Sequence, residues 1–219
     1  MDQETLIILR NFSTIIELVS AILGTIFYSK YKNSVLKFFL FYLWFIVLLE
    51  ISGYIIVEYR LVENNAWLFN LFYLISFTFL FYLYSAIVKN KKKKRIIQFS
   101  SILYLLIFVI NGFFENYLTS SQTIPFIVAS ALLIVAIIFY FVGILSTEKV
   151  LHAKKNLLFW ISIGFLLFYA GSIPFRIALN YYANIGGFNE LFSINYLLII
   201  VLNICFIIGF IWSDKKQSY

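Results

Sequence analysis

The sequence predicts an all-α membrane protein: a bundle of seven transmembrane helices with its N-terminus outside and its C-terminus in the cytoplasm. Three observations predict it. Hydrophobic residues make up 63% of the 219 residues and charged ones 12%, about half the charged share of a soluble domain. Seven apolar runs are each long enough to cross the hydrocarbon core as a helix. Lysine and arginine gather in every second connection between those runs.

The runs fall at roughly 5–29, 34–58, 66–88, 96–116, 123–146, 157–181 and 190–212. They are continuous rather than alternating, which argues for helices and against a strand barrel. The fourth is the most dilute, because Gln98, Asn111 and Glu115 interrupt it. One membrane domain over 1–219 is expected, since the polar stretches are too short for a soluble module. The start, MDQETLIILR, is acidic where a signal peptide is basic, so it reads as a retained first helix. Cys205 is the single cysteine and lies within an apolar run, which excludes an intrachain disulfide and a cysteine-built zinc site.

Charge sets the direction. SKYKNSVLK, KNKKKKR, EKVLHAKK and the tail SDKKQSY carry the lysines. They alternate with YRLVENNA, FENYLTSSQT and NYYANIGGFNE, which are lysine-poor. Short loops rich in Lys and Arg stay in the cytoplasm. The run Lys91, Lys92, Lys93, Lys94 and Arg95 then forms a basic cytoplasmic face. It reads as a topology signal before it reads as a site for anionic lipid or nucleic acid. The formal charge of +7 follows from these loops and implies no nucleic-acid partner.

The remaining ionisable residues are few. Asp2, Glu4, Glu58, Arg60, Glu63 and Glu190 lie at the outer ends, while Arg10, Glu17, Glu50, Glu115 and Arg176 lie within or at the margins of spans. A charge inside a span is costly facing lipid and is expected to face the bundle or a water-filled cavity. Helical spacing puts Arg10, Ser13, Thr14, Glu17, Ser20, Ala21 and Gly24 on one face of the first span. The same spacing groups Glu50, Gly53, Tyr54 and Glu58 on the second span, and Ser101, Tyr104, Asn111 and Glu115 on the fourth. On the sixth it groups Ser162, Tyr169, Ser172, Arg176 and Asn180. With the direction fixed, Arg10, Glu50, Asn70, Asn111, Arg176 and Asn195 fall in the outer half, and Glu17 lies nearest the midplane of the acids. These seven are the expected lining of an outward-facing polar cavity for a ligand or ion. Glu17, Glu50 and Arg176 are expected to form one network. Gly171 and Pro174 are the expected hinge, because proline removes a backbone hydrogen bond and can kink a helix.

Catalytic chemistry is poorly supplied. His152, the only histidine, lies in a lysine-rich loop, so the serines have no ordinary triad. No His, Asp and Glu cluster has zinc spacing, and no glycine-rich phosphate loop occurs. No enzyme, metal or cofactor is expected.

The run FWISIGFLLFYAGSIPF, 159–175, resembles runs in small bacterial seven-helix membrane proteins, including the seven-helix sensory regions of some histidine kinases. The span number and direction resemble that group as well. The resemblance implies a bacterial cytoplasmic membrane and a sensory role. Only SDKKQSY follows the last span, so signalling output is expected from a separate partner. Three readings follow: a receptor or sensor module, a small-solute or ion transporter or channel (an oligomeric pore included), and an assembly subunit of a membrane complex. The expected partners are the lipid bilayer, a small ligand or ion, and a protein at the cytoplasmic or lateral face.

Overall fold

The computed structural model describes residues 2–59, 64–146, 148–182 and 188–214, leaving aside the side chains of 57, 58, 148–151, 180–182 and 188. Arg60, Glu63, Lys215 and Lys216 lie outside the described residues, as do the side chains of Glu58, Lys149 and Asn180. The chain is all-α: α1 Gln3–Ile26, α2 Lys37–Glu58, α3 Ala66–Ile87, α4 Lys91–Asn111, α5 Thr123–Leu145, α6 Leu157–Tyr182 and α7 Phe188–Trp212. Short 3-10 segments, Tyr28–Lys30 and Glu148–Lys155, lie in two connections. All seven α-helices are long and apolar enough to cross a bilayer.

Asparagines open several of these helices. The Asn64, Asn90 and Asn156 side-chain oxygens accept from the backbone N–H groups of Ala66 (3.1 Å), Lys92 (3.0 Å) and Leu158 (2.9 Å). Each satisfies a donor that the first helical turn leaves without a partner. At α1 the Asp2 carboxylate accepts from the Thr5 N–H, and hydrogen bonding from the Thr5 side chain first and its N–H second holds the carboxyl below its usual value.

The fourth helix departs from its expected span. It covers 91–111 rather than 96–116, so the lysine run lies inside the helix and Glu115 lies in the turn beyond it. Lysine and arginine are good helix formers, and Asn90 accepts from both Lys92 and Lys93 N–H groups. The local cap places the helix start ahead of the charges.

The helices belong to two compact units, 1–43 with 144–219, and 44–143. In the first unit α1 and α6 both pack on α7. Its centre is aromatic. The Phe39 ring, from the start of α2, lies 5.1 Å from Phe206, 6.3 Å from Phe165 and 6.4 Å from Phe210 between centroids. One end of the unit is fastened by polar contacts. Lys30 Nζ donates to the Phe210 and Ile211 carbonyls at 2.8 and 3.0 Å, where α7 leaves its last carbonyls without intrahelical donors. Lys155 pairs with Asp214 at 3.2 Å, and Asp214 N–H donates to the Lys155 carbonyl. Trp160 donates to the Lys154 carbonyl and meets Trp212 edge to face at 5.6 Å.

Tyr31 belongs to the same end. It is buried, and its hydroxyl donates to the Gly24 carbonyl. Burial, with Tyr28 beside it, pushes the phenol well above its ordinary value of 10.0. A phenol whose proton is held more tightly folded than unfolded contributes stability that is fully present below the unfolded value and is lost as pH rises beyond it. Stability is expected to fall above about pH 10 through this group. Tyr31→Phe is expected to flatten that decline in an alkaline unfolding series. An identical slope in both proteins would place the loss elsewhere.

In the second unit α3 packs on α4. Phe77 lies 5.3 Å from Tyr104 and 5.5 Å from Phe126, joining α3 to α4 and α5. Phe45 and Phe72 stack at 6.2 Å, joining the rest of α2 to α3.

Candidate functional site

On α1 the buried residues are Ser13, Glu17, Ser20, Ala21 and Gly24, at helical spacing. The other face is exposed and apolar, with Ile8, Phe12, Ile15 and Ile22 all at least 42% accessible. Arg10 is exposed at the margin of the buried face, and its carbonyl accepts from the Ser13 and Thr14 hydroxyls. Glu17 is buried, an acid in the middle of a membrane-length apolar helix.

The sixth helix contributes a second polar row to the same unit. Ser162, Tyr169 and Ser172 are buried and Arg176 is half-buried, its guanidinium 6.0 Å from the Phe175 ring centroid. On α7 Asn195 is half-buried, and buried Asn203 donates to the Ile199 carbonyl at 3.0 Å. Among the described residues, the Ser20 and Ser172 hydroxyls are buried without a hydrogen-bond partner. Buried hydroxyls are nearly always satisfied, by protein or by an ordered water. Ser20 lies on the polar row of α1 and Ser172 on that of α6, and the Ser76, Tyr104, Tyr140 and Ser213 hydroxyls are likewise buried without a hydrogen bond among the described residues.

Of the two expected hinge residues, Gly171 lies against α7. A Cβ at Gly171 would meet Leu198 Cδ2 at 2.6 Å, so a larger residue there would require the Leu198 side chain on α7 to shift. The sixth helix continues through Pro174, which is exposed.

The second unit holds Glu50, half-buried on α2, and the two remaining expected residues, Asn70 and Asn111. Both asparagines are buried, and both are engaged by the connection between α4 and α5. Asn70 Nδ2 donates to the Tyr117 and Ser120 carbonyls, each at 2.8 Å, while its oxygen accepts from Gln122 N–H at 3.0 Å. Asn111 Nδ2 donates to Gln122 Oε1 at 2.7 Å and to Glu115 Oε2 at 2.9 Å. Gln122 Nε2 donates to the Glu115 carbonyl. Tyr117 reaches back to donate to the Phe108 carbonyl at 2.8 Å, a bond made near the exposed end of α4. The amides here fasten a loop. Glu17, Glu50 and Arg176 divide between units, the first and last in one and Glu50 in the other.

Asn70→Ala removes one partner from three backbone groups at once. The expected cost is about 1–3 kcal/mol, the penalty for orphaned buried polar groups. Hydrogen exchange at the Gln122 amide is expected to accelerate in the variant. Unchanged protection there would show that the loop is held without Asn70.

The basic face lies at the start of α4. Lys91, Lys92 and Arg95 are exposed and Lys93 and Lys94 half-buried, with Lys93 Nζ 5.5 Å from the Phe139 ring centroid. Sequence reasoning missed three features: the Gln122 bridge, the Lys30 clasp on α7 and the orphaned hydroxyls, Ser20 and Ser172 among them. Gln122 and Lys30 find partners far along the chain, which periodicity within one helix does not register. No family model, curated protein or solved structure matches this chain.

Proposed function

We propose that the chain is a non-enzymatic receptor or sensor module of a bacterial cytoplasmic membrane. It lies with its N-terminus outside and its lysine-rich connections in the cytoplasm. It takes a small polar ligand or a cation on the polar rows of α1 and α6, and signals through a separate protein. The carrying observation is the polar content of the first unit. Glu17 is buried in a membrane-length helix, and the Ser20 and Ser172 hydroxyls are buried without partners among the described residues. A buried intramembrane acid marks a ligand or ion position.

A transporter needs the same groups, and Glu17 is what favours that second reading. The fastening at the other end of the unit favours the receptor. Lys30 on the α7 carbonyls, Lys155 on Asp214 and Trp160 on Trp212 hold one end together. In the proposed orientation that end is cytoplasmic, and alternating access would have to open it.

Flux separates the two readings. Proton and small-cation flux into proteoliposomes is measured for the wild type beside Glu17→Gln and Glu50→Gln. The receptor reading expects no flux from folded, oriented protein. Flux that Glu17→Gln abolishes would replace it with transport.

A further inference from the structure

The basic turn of α4 gathers five cations, while two of the cations elsewhere are held within the fold. Lys30 and Lys155 are consumed within the fold, one on α7 carbonyls and the other on Asp214. Lys91, Lys92, Lys94 and Arg95 have no acidic partner among the described residues, and Lys93 has only the Phe139 ring. Five successive cations repel one another, and the first turn of the helix holds no acid to offset them.

The face beneath them is apolar. Lys92, Arg95, Phe99, Ile102, Leu106 and Val109 recur at intervals of three and four, so they form one stripe along α4. All six are exposed, and the four apolar ones are 55–65% accessible. Two cations therefore crown an uncovered apolar strip, with Arg95 about 6 Å of helix rise from Phe99. A nucleic acid could meet the cations but has no apolar part to lie along the strip. A phospholipid has both parts in the same order, a phosphate at the interface and acyl chains below it.

We propose that this stripe is a docking site for one anionic phospholipid, with its phosphate between Lys92 and Arg95 and its chains on Phe99, Ile102 and Leu106. The site requires only that α4 cross the bilayer and is independent of the receptor reading.

The test uses the full chain purified in detergent. Retained phosphatidylglycerol and phosphatidylcholine are counted by native mass spectrometry. The wild type is compared with Lys92→Gln/Arg95→Gln and with Lys32→Gln/Lys154→Gln, which removes two exposed cations elsewhere. The first double variant keeps Lys89, Lys91, Lys93 and Lys94 and so keeps the charge bias that orients α4. Phosphatidylglycerol is expected to be retained in preference to phosphatidylcholine. A juxtamembrane cation changes anionic-lipid binding about fivefold, so Lys92→Gln/Arg95→Gln is expected to lose about twentyfold or more and the control nothing comparable. Equal retention of the two lipids, or equal loss in the two variants, overturns the site. Displacement by inorganic phosphate as effective as by phosphatidylglycerol would make it a free-phosphate site, and displacement by an oligonucleotide a nucleic-acid one. Either result overturns the lipid assignment. If the first variant does not fold, salt decides with the wild type alone: retention that falls steeply as salt rises supports the site, and salt-insensitive retention overturns it.

Discussion

Phe39→Ala is expected to destabilise the first unit by about 3–5 kcal/mol, the range for truncating a fully buried phenylalanine. The ring has no accessible surface and makes four aromatic contacts, to Tyr42, Phe165, Phe206 and Phe210, at 5.1–6.4 Å. It links the start of α2 to both α6 and α7, so its loss opens a void at the meeting point of three helices. The cost grows with the cavity that neighbours fail to fill, and aromatic rings refill space poorly. Phe38, the adjacent residue, is 40% exposed and gives the internal control. Phe38→Ala is expected to change stability by a small fraction of that amount. Reversible unfolding in mixed micelles measures both. Equal effects at the two positions would mean that the aromatic cluster is not what holds the unit.

The helices were legible because their signal is long and local. An apolar run of membrane length needs no knowledge of its neighbours, and the α1 spacing of Ser13, Glu17, Ser20 and Gly24 coincides with its buried face. Helix ends depend on single capping groups. Asn90 moves the start of α4 ahead of a lysine run that charge alone assigns to a loop. The candidate site was legible in part. Depth and polarity select Glu17 from sequence, and its side chain is buried. The same reasoning selects Asn70 and Asn111 as cavity lining, yet their amides bond to loop groups up to 52 residues away. Polarity at a given depth cannot distinguish an amide that meets a ligand from one that closes a turn. The tertiary partner decides it.

A bulky residue at Gly164 should force α6 from α7, and this chain carries its own reporter of that event. A Cβ built at Gly164 would lie 3.1 Å from Cys205 Cβ, 3.1 Å from Leu202 Cδ1 and 3.1 Å from the Leu202 carbonyl oxygen. Only Leu202 Cδ1 is a side-chain end that can shift. Cys205 Cβ is fixed to its Cα and the Leu202 oxygen is α7 backbone, so both move only with the helix. Gly209 repeats the contact from the other side, where a Cβ would meet Trp160 Cβ at 2.9 Å. Small residues of this kind let membrane helices approach closely, and dispersion gained there holds the pair. Gly164→Ala asks its neighbours for a few tenths of an ångström, and a modest cost is expected. Gly164→Leu cannot be absorbed that way. Overpacking of this kind typically costs about 1–3 kcal/mol. Cys205 is the only thiol in the chain, and it is buried at this contact. Its reaction with a maleimide in detergent is therefore expected to be slow in the wild type, little changed in Gly164→Ala and several-fold faster in Gly164→Leu. A melting scan of the same samples separates local parting of the helices from global unfolding. If Gly164→Leu leaves both the labelling rate and the melting temperature at wild-type values, α6 and α7 do not depend on this close approach.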